Sequence, residues 1–195
     1  MIDTPTIAEF LRRLGHPVAL IGRKPVDHAP KSMVLWPAEQ DDTADQAAWL
    51  ARQYHAVYCN LNPLASYMLD LVPEPGRSVT DNMIARRTRM LIDIDGHNVP
   101  KELAREQKDA IKARFGEPLI ESDSGNGFGL IYPIPYPNDE DAKIRVRVVL
   151  QNLKAEFSCV DTSVFGAGRL TRVIGTLNKS VVTGERIGTR ILNWN

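Results

Sequence analysis

Hydrophobic and polar positions along the chain follow two periods, and the switches between them mark the elements. In "TPTIAEFLRRL", Ile7, Phe10, Leu11 and Leu14 recur at helical spacing behind a capping Thr and an early Pro, which predicts a short amphipathic helix. "PVALIGR" predicts a strand. Ala47, Leu50, Ala51 and Tyr54 share one face of a helix in "DDTADQAAWLARQY". "AVYCNL" predicts a strand that stops at Asn62-Pro63. Residues 64–85 contain Pro73, Pro75 and Gly76 and read as irregular, with one helical turn near Asp81.

From Met90 the pattern sharpens. "RMLIDID" predicts a strand, "ELAREQKDAIKARFG" a helix ending at Gly116, and "PLIES" and "GLIYPI" two more strands. "DEDAKIRVRVVLQNLKAEF" is a long helix with an acidic first turn, as the helix dipole favours. "RLTRVIGT" and "RIGTRILNW" predict the last two strands. The order β-α-β-β-α-β over 90–174 is that of the ferredoxin-like split arrangement. The expected class is therefore α+β.

Composition narrows the partners. The 195 residues suit one domain with a proper core. Lys+Arg and Asp+Glu both number 24, so net charge does not advertise nucleic acid; a nucleic-acid partner needs a local basic patch. Cys59 and Cys159 belong to no CxxC or Cys/His cluster, which argues against zinc and for buried, reduced thiols in a cytosolic protein. No membrane span or signal peptide is expected, and the expected location is cytoplasmic.

The candidate chemistry centres on "MLIDIDG". Strand alternation puts Leu91, Asp93 and Asp95 on one face and Met90, Ile92 and Ile94 on the other. Two carboxylates side by side repel unless a cation neutralises them, and hard oxygen ligands suit Mg²⁺. That is the equipment of phosphoryl or nucleotidyl transfer. The plainer reading is one Asp accepting turn hydrogen bonds near Gly96 and the other solvated. Asp161 in "CVDTSVF" is a third carboxylate, or simply a turn residue. Arg169, Arg172 and Lys179 follow within eleven residues and could steady a triphosphate or a nucleic-acid backbone, or be solvated cations of an edge strand. In a regular strand Arg169 and Thr171 would share one face, Leu170 and Arg172 the other. "SDSGNGFGL" (122–130) reads as a hairpin turn, and such a turn can also present N–H groups to an anion.

In this order the segments "VYCNLNPL" (57–64), "RRTRMLIDIDG" (86–96), "ESDSGNGFGLIYPIPYPNDED" (121–141) and "VDTSVFGAGRLTRVIGTLNK" (160–179) resemble the archaeo-eukaryotic primase superfamily, specifically its small primase-polymerase-like proteins of phages, plasmids and bacteria. The resemblance implies a primase catalytic-core fold: an RNA-recognition-like palm with a mixed antiparallel sheet (86–195) and a second, N-terminal α/β unit (1–85), together one catalytic domain over 1–195. It implies that Asp93, Asp95 and Asp161 are catalytic metal ligands for Mg²⁺ or Mn²⁺. Ser124, Gly125, Asn126 and Gly127 match the loop beside the nucleotide phosphates. Arg172 and Lys179 match basic positions near nucleotide or template, with Arg169 their neighbour. The implied reaction is template-directed attack of a 3′-hydroxyl on the α-phosphate of a nucleoside triphosphate. Single-stranded DNA template and nucleoside triphosphates are the implied partners, beside a separate helicase or replication protein.

The chain departs from the family at Gly129, where the second motif usually carries a histidine that contacts phosphates. None of the histidines (16, 28, 55, 97) takes that place by sequence position; His97 follows the carboxylate strand. Three readings stay open: a metal-dependent DNA primase/polymerase, a weakly catalytic or inactive relative that binds nucleic acid or nucleotide as an initiation or docking domain, and a metal-dependent nuclease, for which the sequence supplies no general-base histidine.

Overall fold

Helix α1 (Thr4–Leu14) is capped by Asp3, one residue before the expected Thr: the Asp3 carboxylate accepts from the Thr6 N–H at 3.1 Å and from its hydroxyl at 2.8 Å. The computed structural model to which it belongs describes residues 1–23, 33–35, 40–69, 78–95, 99–179 and 185–194. Strands β1 (Leu20–Arg23) and β2 (Met33–Leu35), helix α2 (Gln40–Gln53) and strand β3 (Ala56–Asn60) complete the N-terminal half, followed by a short helix α3 (Ser66–Leu69) and the expected helical turn at Asp81–Met83. Then come β4 (Arg86–Asp95), α4 (Lys101–Phe115), β5 (Ile120–Asp123), β6 (Gly127–Pro137) and α5 (Glu140–Glu156). Four short strands close the chain: β7 (Leu170–Arg172), β8 (Leu177–Lys179), β9 (Arg186–Gly188) and β10 (Arg190–Trp194).

The strands form two four-stranded antiparallel sheets, β2-β1-β3-β7 and β10-β5-β6-β4, and a β8-β9 ribbon. The second sheet keeps the expected split order for β4, β6 and β5. The place beside β4 expected for the last strand of the series holds only a bridge, Ile94 to Val160. β7 crosses instead to the N-terminal sheet, where Tyr58 faces Arg172 and Cys59 faces Thr171. The expected terminal strand "RIGTRILNW" is split at Thr189. That buried residue donates its N–H and hydroxyl to Thr176 O, at 3.0 and 2.9 Å, and its hydroxyl accepts from the Gly175 N–H. Fixing the chain there ends β9 and re-aims β10.

The β4 alternation decides the layering. Leu91, with Ile120 and Ile131, packs into a core that α1, α2, β1 and β3 fill with Ile7, Phe10, Leu14, Leu50, Leu20 and Val57. Ile92 and Ile94 face the other way, into a core with Ile111 of α4 and Val146 and Leu150 of α5. The first core is therefore shared by both sheets. Cys59 and Cys159 are free and buried. Among the described residues no helix is long and apolar enough to cross a membrane.

A buried ionic cluster pins α4 to β5. Glu121, its side chain 4% exposed, accepts from Lys108 and, at 2.6 Å, from Lys112. Burial alone would raise the Glu121 carboxyl; the two ammonium groups outweigh it and hold it below its ordinary value.

Candidate active site

The end of β4 is edged by residues 159–161. The Asp95 N–H donates to Cys159 O and the Asp161 N–H donates to Asp93 O, both at 2.8 Å. This two-residue pairing puts Asp161 beside the β4 carboxylates although 66 residues of sequence separate it from Asp95. A cavity of about 400 Å³ opens there, bordered by Asp93, Asp95 and Asp161, by Ser124, Asn126 and Gly127 of the hairpin, and by Arg169 and Arg172. Gly125 is not on its wall. Lys179 pairs with Arg186 in the β8-β9 ribbon, and its side chain lies outside the described residues, as does His97. Among the described residues no histidine lines the cavity; His16 is held between Pro17 O and Leu61 O.

Arg169 and Arg172 both reach the cleft, against the alternation expected of a regular strand, because Arg169 stands in the turn just before β7. The Arg169 guanidinium is 4.0 Å from Asp93 Oδ2 and 3.9 Å from Asp161 Oδ2. Arg172 donates to the Tyr58 hydroxyl at 2.7 Å and lies 4.5 Å over its ring. Tyr58, Ser122 and Asn178 also line the cavity and were not singled out from the sequence. For Ser122 a signal existed: in "SDS" it shares the period-2 face of Ser124.

The floor of the cleft is made of glycine. Across the sheet Ser122 faces Gly129 and Gly129 faces Asp93; further along, Asp95 faces Gly127, which bonds Ser124 through the turn. Directly opposed residues point to the same side. A serine wall on β5 thus faces a carboxylate wall on β4, two strand spacings or roughly 10 Å apart, with two residues lacking side chains between them.

The hairpin tip is built as a turn. The Ser124 N–H donates to Gly127 O at 2.9 Å, the Gly125 N–H to Asp123 Oδ1 at 2.7 Å, and the Gly127 N–H to Ser124 Oγ at 3.1 Å. Those three donors are spent inside the loop. Asp123 is itself buried and clasped by Lys101 (2.9 Å) and Arg190 (3.2 Å), and the Asn178 amide holds Ser124 O at 2.8 Å. Gly125 has φ +87°, and a Cβ there would come 2.1 Å from Ile187 Cδ1. Gly125→Ala is expected to cost about 1–3 kcal/mol, a fall in Tm of several degrees by calorimetry. Ile187→Ala in the same chain should relieve only the contact and leave the backbone strain. An unchanged Tm for Gly125→Ala would refute this account of the tip.

The Asp93 carboxyl stands raised to about 6: desolvation lifts it most, Arg169 pulls against that, and Asp161 and Asp95 add to the rise. Crowded hard-oxygen donors of this kind fit a divalent cation in chemistry. As the side chains stand, no group of three or more His, Cys, Asp or Glu among the described residues is placed to hold one. Asp161 accepts from the Ser163 N–H at 2.7 Å and the Ser163 hydroxyl at 2.8 Å, and Arg169 stands between it and Asp93. The plain turn role expected for Asp161 is therefore present together with its place in the cleft.

No family model and no curated protein matches the sequence. Two solved structures share the fold. One is the catalytic domain of the primase RepB′ in complex with initiator DNA, at TM-score 0.63 and 12% identity, covering all of this chain and 86% of that one. The other is the primase RepB′, at TM-score 0.63 and 14% identity, covering 98% of this chain and 56% of that one. Likeness at this identity is a likeness of fold: the chain has the α+β architecture of a primase catalytic domain, its antiparallel sheets meeting at the acidic cleft.

Proposed function

We propose that the protein is a primase-type nucleotidyltransferase that adds nucleotides to a strand copied from single-stranded DNA. The observation that carries this reading is the meeting of Asp93, Asp95 and Asp161 with Arg169 and Arg172 in one cleft of a primase-like fold. The 1–85 and 86–195 parts act in it as one unit, because β7 leaves the second to pair in the sheet of the first.

In the proposed reaction the 3′-hydroxyl oxygen bonds to the α-phosphorus, the bond to the β-phosphate oxygen breaks, and pyrophosphate leaves; the hydroxyl proton passes to solvent. In-line displacement needs positioning and charge neutralisation rather than covalent help from the protein. Mg²⁺ or Mn²⁺ held by Asp93, Asp95 and Asp161 would neutralise charge on the reacting phosphate oxygens. Arg169, between two of those carboxylates, would turn its guanidinium to the triphosphate. Arg172, fixed on Tyr58, would hold a phosphate of nucleotide or template. The glycine floor lets these groups approach without a side chain in the way.

A second reading, a nucleic-acid-binding relative with little or no catalysis, is favoured by one observation: the cleft has no histidine among its described residues, and position 129 offers no side chain. Primer synthesis and extension on single-stranded template with Mg²⁺ or Mn²⁺, beside template binding by fluorescence anisotropy, separates the two. Product from the wild type, lost in the Asp93→Ala/Asp95→Ala variant, supports the first. Template binding with no product at any metal concentration selects the second, and absence of both activities overturns the nucleic-acid reading.

A further inference from the structure

The bare floor at Gly129 is tied to the residue beside it. A Cβ at position 129 would lie 2.9 Å from Ser122 Oγ and 3.6 Å from Leu91 Cδ1. A side chain at 129 and the hydroxyl of Ser122 therefore compete for one space. Ser122 is 7% exposed, borders the cavity, and stands in one row with Gly129 and Asp93. Its hydroxyl donates to Gly129 O at 3.3 Å, beyond the usual O–H···O range. Ser124 differs in degree: its hydroxyl donates to Gly127 O at 3.1 Å, just past that range, and also accepts from the Gly127 N–H at 3.1 Å. Of the two serines on this wall, Ser122 has the weaker internal claim on its proton.

We infer that Ser122 is a phosphate-binding residue of this cleft, its hydroxyl donating to a non-bridging oxygen of the nucleotide's triphosphate from the wall opposite Asp93. The inference rests on the nucleotide-site reading above. A serine hydroxyl is short and neutral, so it acts from the sheet surface, and the missing side chain at 129 is what leaves it uncovered. Position 122 and position 129 then form a coupled pair: a large polar group at one requires a small residue at the other.

The test is binding of tripolyphosphate and of dATP, each with Mn²⁺, by titration calorimetry, together with the KM for nucleotide in primer extension. A hydrogen bond to a charged oxygen sets the scale. Ser122→Ala should weaken both ligands about tenfold and raise KM more than it lowers kcat, with single-stranded DNA affinity and Tm close to wild type. Ser122→Thr, which keeps the hydroxyl, should stay within about threefold. Gly129→Ala, which crowds Ser122 Oγ from the floor, should weaken the same two ligands. Gly129→His should bind no better than wild type, and Ser122→Gly/Gly129→His better than either single change. Binding by Ser122→Ala and Gly129→Ala both within twofold of wild type overturns the assignment while leaving the nucleotide site standing. Failure of the wild type to bind either ligand overturns the nucleotide site and this role with it.

Discussion

Replacing Glu121 by alanine is expected to remove about 3 kcal/mol of folding stability, the low end for breaking a buried pair, since Lys108 keeps only the exposed Asp109 carboxylate, at 2.9 Å, in place of the buried one. The side chains of Glu121 and Lys108 are 4% and 9% exposed, so water cannot take over the lost contact. For a chain of this length the loss corresponds to a fall in Tm of about 6–12 °C by calorimetry. Replacing the pair together, Glu121→Leu with Lys108→Met, should recover most of it, because the desolvation cost goes with both charges. The pH profile carries a sign. Glu121 is held below its ordinary value of 4.5, so its contribution is complete above pH 4.5 and is lost as pH falls through the lower folded value. The gap in stability between wild type and Glu121→Gln should therefore narrow below pH 4.5. A gap that stays constant from pH 7 to pH 3 would contradict the ionic account.

Asp93→Ala should abolish nucleotide addition, with a loss of at least about a thousandfold in the extension rate, the scale seen when transition-state charge loses its stabilising partner. Template affinity should change by less than about threefold, because the residue is an acidic group on the cleft wall and contributes no positive charge to the DNA backbone. Asp93 stands at the centre of the electrostatics: Arg169, Asp161, Asp95 and Arg172 all act on its carboxyl. Single-turnover extension with a saturating primed template measures the rate. A residual rate above a tenth of wild type would remove Asp93 from the reaction centre.

Much of this was legible in the sequence where the cause is local. The order Leu91, Ile92, Asp93, Ile94 follows the two-residue period of a strand with core on both faces, so the facing of the carboxylates could be read directly. The hairpin follows from the same cluster of turn residues, but one residue out of register: its central pair is Gly125-Asn126, with Gly125 at positive φ, and not the Asn126-Gly127 pair that the sequence favours. The destination of β7 could not, because a three-residue strand carries no pattern of its own and its place is set by pairing Tyr58 with Arg172, 114 residues apart. Arg169 defeated strand alternation by standing in a turn. The contact between Ser122 and position 129 is a register effect between neighbouring strands, invisible until the pairing is known. The Glu121 cluster left a faint trace: Lys108 falls on the helical face of Ala104 and Ile111, a charge where the pattern asks for an apolar group.

The crossing of β7 has a consequence for anyone who would shorten this protein. A cut at 85/86 keeps Asp93, Asp95, Asp161 and both arginines on one fragment, so by motif that fragment looks self-sufficient. In space it would leave Leu91, Ile120 and Ile131 without the helices that cover them, and Arg172 without the Tyr58 that fixes it. The chemistry is contiguous along the chain and indivisible in three dimensions: the acidic half of the cleft can be carried away by truncation, and the scaffold that aims its basic half cannot.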